Sequence, residues 1–347
     1  PKRTEARPVR DRRRSAPAPC ASGEGCVVTR ARFLRVARTV LLALVLVAAT
    51  YAVVRNWNDV SATVTHLSWR AWIPAFLILP VAIGCSTMSW QVLVDELGEP
   101  IGARRGAQIF LVGQLGKYVP GSVWAYLLQL ELGRRAGVAR ARIFAATVFS
   151  LAVVVVAALL AGGMAVPSLV EGNPDLGTLR WLYLLLPVAL VCLHPRVLTW
   201  AVGQGFRLLG RPAPDHPIRK RAVLTSLAWA LGSYLAFGVH LWLLVRASTP
   251  ISVSALPLAV GTMAVAMISG LFVFLLPSGA GVREAILVAG LGPFVGTGPA
   301  IALAAVSRVL LTLADLLTAG AAAGLATIEQ RRHGRYHGDP GIDSDEA

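Results

Sequence analysis

Six stretches of this chain are apolar for long enough to cross a bilayer, and that blocking confines it to a bundle of membrane helices. They run at Val36–Val54, Trp72–Val94, Arg142–Val166, Leu179–Leu193, Ala222–Val245 and Ile301–Ala326. A helix needs about 20 mostly apolar residues to span the hydrocarbon. Leu179–Leu193 is the shortest and contains Pro187, which a membrane helix tolerates with a kink. Composition agrees with the blocking. Only 15% of the 347 residues are charged, against about 25% in soluble domains, and the mean hydropathy is +0.63.

The formal net charge is +15, a value that in a soluble protein would suggest nucleic acid. Here the cations lie between apolar blocks, and no zinc-finger spacing or stacking platform accompanies them, so nucleic acid is not expected as a partner. Residues 1–30, rich in Arg, Pro, Ala and Ser, read as a disordered basic tail. Val36–Val54 follows four arginines and has small residues Ala48 and Ala49. It fits a signal peptide or an uncleaved helix, and its length favours the helix. The four cysteines, Cys20, Cys26, Cys85 and Cys192, form no CxxC pair, which weakens metal and redox readings. The polytopic domain is expected over 31–326 and a cytoplasmic tail over 327–347.

Two further apolar stretches, Gly106–Leu132 and Leu256–Leu291, are broken near the middle by Pro120-Gly121-Ser122 and Pro277-Ser278-Gly279. Pro inside a helix removes a hydrogen bond and clashes with the preceding turn. Two half-helices meeting at a turn suit each stretch better, with the irregular backbone buried in protein or lining a wet cavity.

Orientation follows from the cations. Of 33 Lys and Arg, 27 lie in the tail up to residue 38, in 95–142, in 195–221 and in the C-terminal tail. The connections 55–71, 167–180 and 246–255 hold two, one and one. The rich stretches are therefore expected in the cytoplasm. The alternation closes with six crossings, two re-entrant hairpins on opposite sides and both termini inside. Eight transmembrane helices are the alternative, which sends one arginine-rich flank of the first hairpin outward. Residues 36–166 and 179–326 share one order: helix, helix, broken hairpin, helix. Three crossings per half make the halves opposite in orientation, an inverted repeat. The expected fold class is thus an all-α integral membrane protein, multi-pass, in a bacterial-type plasma membrane.

Charge inside such a bundle is rare and marks function. Lys117, one of three lysines, lies three residues before Pro120, and Arg283 lies six after Pro277. Each hairpin thus offers a cation beside free backbone N–H groups, a pairing that holds phosphate or another anion. Either cation could instead snorkel to headgroups or pair with a carboxylate. Glu284 could couple protons, pair with a cation, or sit against a helix macrodipole. Arg308 and Asp315 share a face of the last apolar block but lie about 10 Å apart along it, too far to pair with each other. Arg308 is expected to meet Glu284 or a lipid phosphate. His240 reads as a packing hydrogen-bonder, and Gln114, Trp124, Tyr126 and Gln129 as residues flanking the first turn. No serine nucleophile, HExxH, Walker or dinucleotide motif has its supporting context, so no metal, cofactor or catalytic residue is expected.

The two broken segments, GQLGKYVPGSVW at 113–124 and LLPSGAGVRE at 275–284, resemble the paired signature regions of the lysylphosphatidylglycerol synthase transmembrane-region family, also called flippase-like membrane proteins. The second region of that family is commonly Pro-x-Gly-x-Gly-x-Arg-Glu, matched here by Pro277, Gly279, Gly281, Arg283 and Glu284. The first has Pro-Gly, matched by Pro120 and Gly121, with Ser122-Val123-Trp124 in variant form. Arg308 stands for the arginine usual in the last helix. The resemblance covers about residues 36–326. It implies movement of lipids or lipid-linked molecules between leaflets, or service to a synthase that makes them. The synthase proper has a soluble aminoacyl-transfer domain after its membrane part. This chain ends about 20 residues beyond Ala326 and is expected to lack that activity.

The expected function is a flippase-like transporter of a phospholipid or polyprenyl-phosphate-linked substrate. Lys117 and Arg283 would take the phosphate, while Glu284, Arg308 and Asp315 would line the path. The substrate region includes Pro120, Gly121, Trp124, Pro277, Gly279 and Gly281. The alternatives are a non-transporting membrane partner of a glycosyltransferase or lipid-modifying enzyme, and a membrane-embedded transferase for which no catalytic set can be named.

Overall fold

The computed structural model describes residues 53–66, 69–119, 123–172, 219–273 and 277–336, with scattered positions at 47–51 and 181–204. The described residues fall in one unit, 44–347. The basic tail, most of the expected spans Val36–Val54 and Leu179–Leu193, the turn at 120–122 and residues 337–347 lie outside them.

Among the described residues all regular structure is helical. Helix α1 is Trp57–His66, in a stretch expected only as a connection. Helix α2 is Trp69–Glu96 and runs unbroken through Pro74 and Pro80. Then come α3 (Ala103–Ala107), a π-turn (Gln108–Val112), a 3-10 turn (Leu115–Tyr118) and α4 (Val123–Arg135). Helix α5 is Arg140–Gly163 and α6 is Val166–Gly172. The second half contributes α7 (Lys220–Ser248), α8 (Leu256–Phe272), α9 (Val282–Val295) and α10 (Thr297–Tyr336). Five segments are long and apolar enough to cross a membrane: Trp72–Glu96, Arg140–Gly163, Lys220–Ser248, Val253–Leu271 and Thr297–Leu325. Four coincide with expected spans. Large apolar side chains such as Leu77, Val81, Leu224 and Leu317 point outward, each more than half exposed. Apolar faces of that extent suit lipid and would be a liability in water. The chain is a multi-pass, all-α membrane protein.

The broken segments differ from each other. In the first, Ala103–Tyr118 passes through α, π and 3-10 helix and α4 has 13 residues, so neither arm reaches the about 20 residues a crossing needs. In the second, the first arm is full length: Val253–Leu271 has 19 residues. Pro257 sits in its first turn, where a missing N–H costs nothing, and nothing interrupts the helix before Val273. Two half-helices were expected here; the first arm is long enough to cross, while the second, α9, has 14 residues.

Between helices in lipid the hydrophobic effect vanishes, and close packing with interhelical hydrogen bonds must hold them. The α2–α7 pair shows how. His240 Nδ1 lies 2.7 Å from the Ala75 carbonyl oxygen, Ser233 donates to the Ala82 carbonyl at 2.8 Å, and Ser89 and Ser226 each donate to the other's carbonyl at 2.9 and 2.8 Å. The contacts step by seven residues, upward along α2 and downward along α7, so these helices are antiparallel. Because the Ala75 oxygen can only accept, His240 Nδ1 carries the proton and Nε2 accepts from the Ser307 hydroxyl at 3.0 Å. His240 thereby ties α2, α7 and α10, as its packing role anticipated. Other contacts exchange between halves. Helix α2 packs on α10 and α7 on α5, while α8 packs on α5 and the π-turn on α10.

The arginines around the first broken segment are largely engaged with protein. Arg134, Arg135 and Arg140 converge on the Glu131 carboxylate within 3.1 Å, and their hydrogen bonds, Arg134 first, hold that carboxyl well below its usual range. Arg142 donates to the carbonyls of Val94 and Glu99, and Arg219 pairs with Glu96 at 2.9 Å.

Candidate functional site

Both breaks need backbone to approach backbone. Ser278 has φ 51° and ψ 30°, and Gly279 follows at φ 65°. Left-handed backbone costs a non-glycine residue about 1–2 kcal/mol, and Arg308 Nη1 donates to the Ser278 carbonyl at 3.1 Å. Gly281, at φ 87°, caps α9, and the Glu284 side chain reaches back to its N–H at 2.6 Å. Gly279 is buried against Gly270 of α8 with no room for a Cβ. Gly116 stands equally close to the backbone of Ala125 in the other broken segment. These glycines make the turns and leave no side chain to touch a ligand. The two 3-10 turns, Leu115–Tyr118 and Pro277–Gly279, lie against each other.

Helix α10 supplies the opposing charges. Asp315 Oδ2 lies 2.6 Å from Lys117 Nζ and accepts from the Tyr118 hydroxyl at 2.6 Å. Two turns away along the same helix, Arg308 pairs with Glu284 at 3.2 Å. Of the alternatives for Lys117, the structure shows the carboxylate pair. Arg308 and Asp315 take partners from different broken segments, as their separation along the helix requires. Tyr118→Phe removes one charged hydrogen bond while Lys117 stays, and should cost about 1.5–3 kcal/mol in SDS-titrated unfolding.

A cavity of about 240 Å³ opens between the turns, lined by Lys117, Asp315, Gln114, Ser278 and Arg283. Ser86, Ser89 and Ser233 line its α2–α7 wall. A smaller space of about 90 Å³ adjoins it at Lys117 and Asp315. Arg283 is 7% exposed, and its Nη2 has no hydrogen-bond partner among the described residues. A buried guanidinium nitrogen left unpaired is costly, and an anion in the cavity would satisfy it.

Trp124 and Gln129, among the other expected residues, lie elsewhere. Trp124 is 52% exposed and outside the cavity lining. Gln129 is buried between α4 and α5, where Thr147 donates to it at 3.4 Å. Pro277 stands in the 3-10 turn, and Pro120 and Gly121 lie outside the described residues. Gln114 and Tyr126 do line the cavity. Sequence reasoning missed Tyr118, Tyr234 and the serine wall. Adjacency to Lys117 was the only signal for Tyr118, and small hydroxyls are too common in membrane helices to stand out. No cluster of His, Cys, Asp or Glu among the described residues could hold a metal.

A family model described as the lysylphosphatidylglycerol synthase TM region matches residues 39–319. The matched length contains both broken segments, both ion pairs and Arg283. Neither a curated protein nor a solved structure gives a significant match.

Proposed function

Because the chain belongs to the lysylphosphatidylglycerol synthase transmembrane-region family, we propose that it is a flippase-like transporter that moves a phospholipid or polyprenyl-phosphate-linked molecule between leaflets. The family ties it to membrane lipid metabolism through its membrane region alone. The observation that carries the step to transport is Arg283, buried, unpaired at Nη2 among the described residues and lining a cavity between two broken helices. Broken helices facing a polar cavity are the usual substrate sites of secondary transporters. Lys117 and Arg283 take the phosphate; Asp315, Glu284 and Arg308 hold the walls.

The same reading includes an inverted repeat in a bacterial-type plasma membrane with both termini cytoplasmic. Its supports are the antiparallel register of α2 and α7, which occupy equivalent places in the two halves, the exchanged packing of their neighbours, and the cation bias. No catalytic role is assigned to any residue.

The test is transfer of headgroup-labelled phospholipid and of a polyprenyl-phosphate-linked sugar in liposomes holding the purified chain. Arg283→Ala should lower transfer to the protein-free rate with the protein still inserted. If the wild-type chain moves neither lipid, and gene deletion leaves leaflet composition unchanged, transport is excluded and the non-transporting partner takes its place.

A further inference from the structure

The charges around the cavity do not cancel. Lining it are two cations, Lys117 and Arg283, and one anion, Asp315. The next charges outward, Arg308 and Glu284, neutralise each other at 3.2 Å. Residues 120–122 and 274–276, which adjoin the two turns, are uncharged in sequence. Among the described residues the site therefore carries one surplus positive charge. In a low-dielectric interior an uncompensated charge is expensive, and the occupant that removes the cost carries one negative charge. A second negative charge would face Asp315 with nothing to answer it.

Size limits the occupant too. At about 240 Å³ the cavity is below the roughly 300–1,000 Å³ of drug-sized ligand pockets. It admits a small headgroup and leaves acyl chains outside. Ser86 and Gln114 offer neutral donors and acceptors, and the Ser89 and Ser233 hydroxyl oxygens, whose protons go to backbone carbonyls, can only accept.

We propose that the cavity selects a singly charged phosphodiester over a doubly charged phosphomonoester, and that Asp315 sets this choice by holding Lys117. The inference rests on the anion-binding reading above and adds to it the substrate's charge class and the residue that fixes it. Phosphate bridges Arg283 Nη2 and Lys117, and Asp315 remains as the counter-charge that a diester tolerates and a monoester does not. Asp315→Asn raises the surplus to two and reverses the preference. Lys117→Gln with Asp315→Asn returns it to one and restores the preference.

The experiment is native mass spectrometry of the full chain in detergent, titrated at about pH 8.5, where a phosphomonoester is doubly charged. The probes are phosphatidylglycerol, phosphatidic acid, the soluble deacylated diester glycerophosphoglycerol and inorganic phosphate. Wild type should bind phosphatidylglycerol about tenfold more tightly than phosphatidic acid, and Asp315→Asn should invert that ratio. Glycerophosphoglycerol binding with the same charge preference would identify a soluble diester as sufficient; binding of the lipid alone would identify the headgroup of a membrane lipid. Wild type that prefers phosphatidic acid, or an unchanged ratio in a folded Asp315→Asn variant, overturns the charge rule while any loss on Arg283→Gln keeps the anion site standing. If Asp315→Asn does not fold, the wild-type ratio and the Lys117→Gln, Asp315→Asn double variant decide it. Wild type that binds none of the probes overturns both readings.

Discussion

Gly279→Ala should sharply lower the yield of folded protein in the membrane, whereas Gly270→Ala, on the other side of the same contact, should be tolerated. A Cβ at Gly279 would meet the Gly270 Cα and lie 3.0 Å from its carbonyl carbon and oxygen. These are backbone atoms of α8 and cannot swing aside. The left-handed φ of 65° adds its own penalty. That penalty is about 1–2 kcal/mol, and overpacking adds about 1–3 kcal/mol. The total of roughly 2–5 kcal/mol is a large part of the 5–15 kcal/mol that holds a typical protein folded. A Cβ at Gly270 meets only the Gly279 Cα at 3.4 Å and the Ser278 oxygen at 3.8 Å, ordinary contacts, and its helix gains propensity. Gly116→Ala should behave like Gly279→Ala, since its Cβ would stand 2.5 Å from the Ala125 nitrogen and 2.6 Å from its Cα. Fluorescence-detected size exclusion of membrane extracts reads the folded fraction. Equal yields for Gly279→Ala and Gly270→Ala would show that the two arms do not touch there.

The same residues show what could be read from sequence and what could not. The spans were legible because lipid demands long apolar runs: four of the expected spans are among the five observed. Arg283, Glu284, Arg308 and Asp315 stood out because charge is rare in such runs. Their partners were harder. Lys117 and Asp315 lie far apart in the chain, and nothing local distinguishes a pairing lysine from one that snorkels. The antiparallel α2–α7 register rests on Ala75, Ala82 and Ser89 meeting His240, Ser233 and Ser226, residues small or neutral enough to occur on any helix face. The π-turn at Gln108–Val112 has no sequence mark, because apolar residues there suit an α-helix equally. The length of α8 was not legible, because Pro277 marks the break while Pro257, in the first turn, leaves the helix before it unbroken. Trp124 entered by proximity in sequence to the turn, but it heads α4 on the outward side.

Exchanging the charges of Glu284 and Arg308 should fail to restore a protein weakened by losing either one. A simple ion pair would survive reversal, since attraction does not depend on which partner is positive. This pair is not simple. Glu284 Oε2 also accepts from the Gly281 N–H at 2.6 Å, and Arg308 Nη1 also donates to the Ser278 carbonyl at 3.1 Å. An arginine at 284 has no acceptor for that N–H and puts positive charge at the N-terminus of α9, where the macrodipole repels it. A glutamate at 308 cannot donate to Ser278. Glu284→Ala loses the cap, about 1 kcal/mol, and a charged hydrogen bond, about 1.5–3 kcal/mol, so about 2.5–4 kcal/mol in all. Glu284→Gln keeps an acceptor for Gly281 and should lose about half as much. The double reversal should be no more stable than Glu284→Ala in SDS-titrated unfolding. Recovery to near the wild-type midpoint would mean that attraction alone joins α9 to α10, and that the turn at 278–281 stands without the two backbone hydrogen bonds these side chains make.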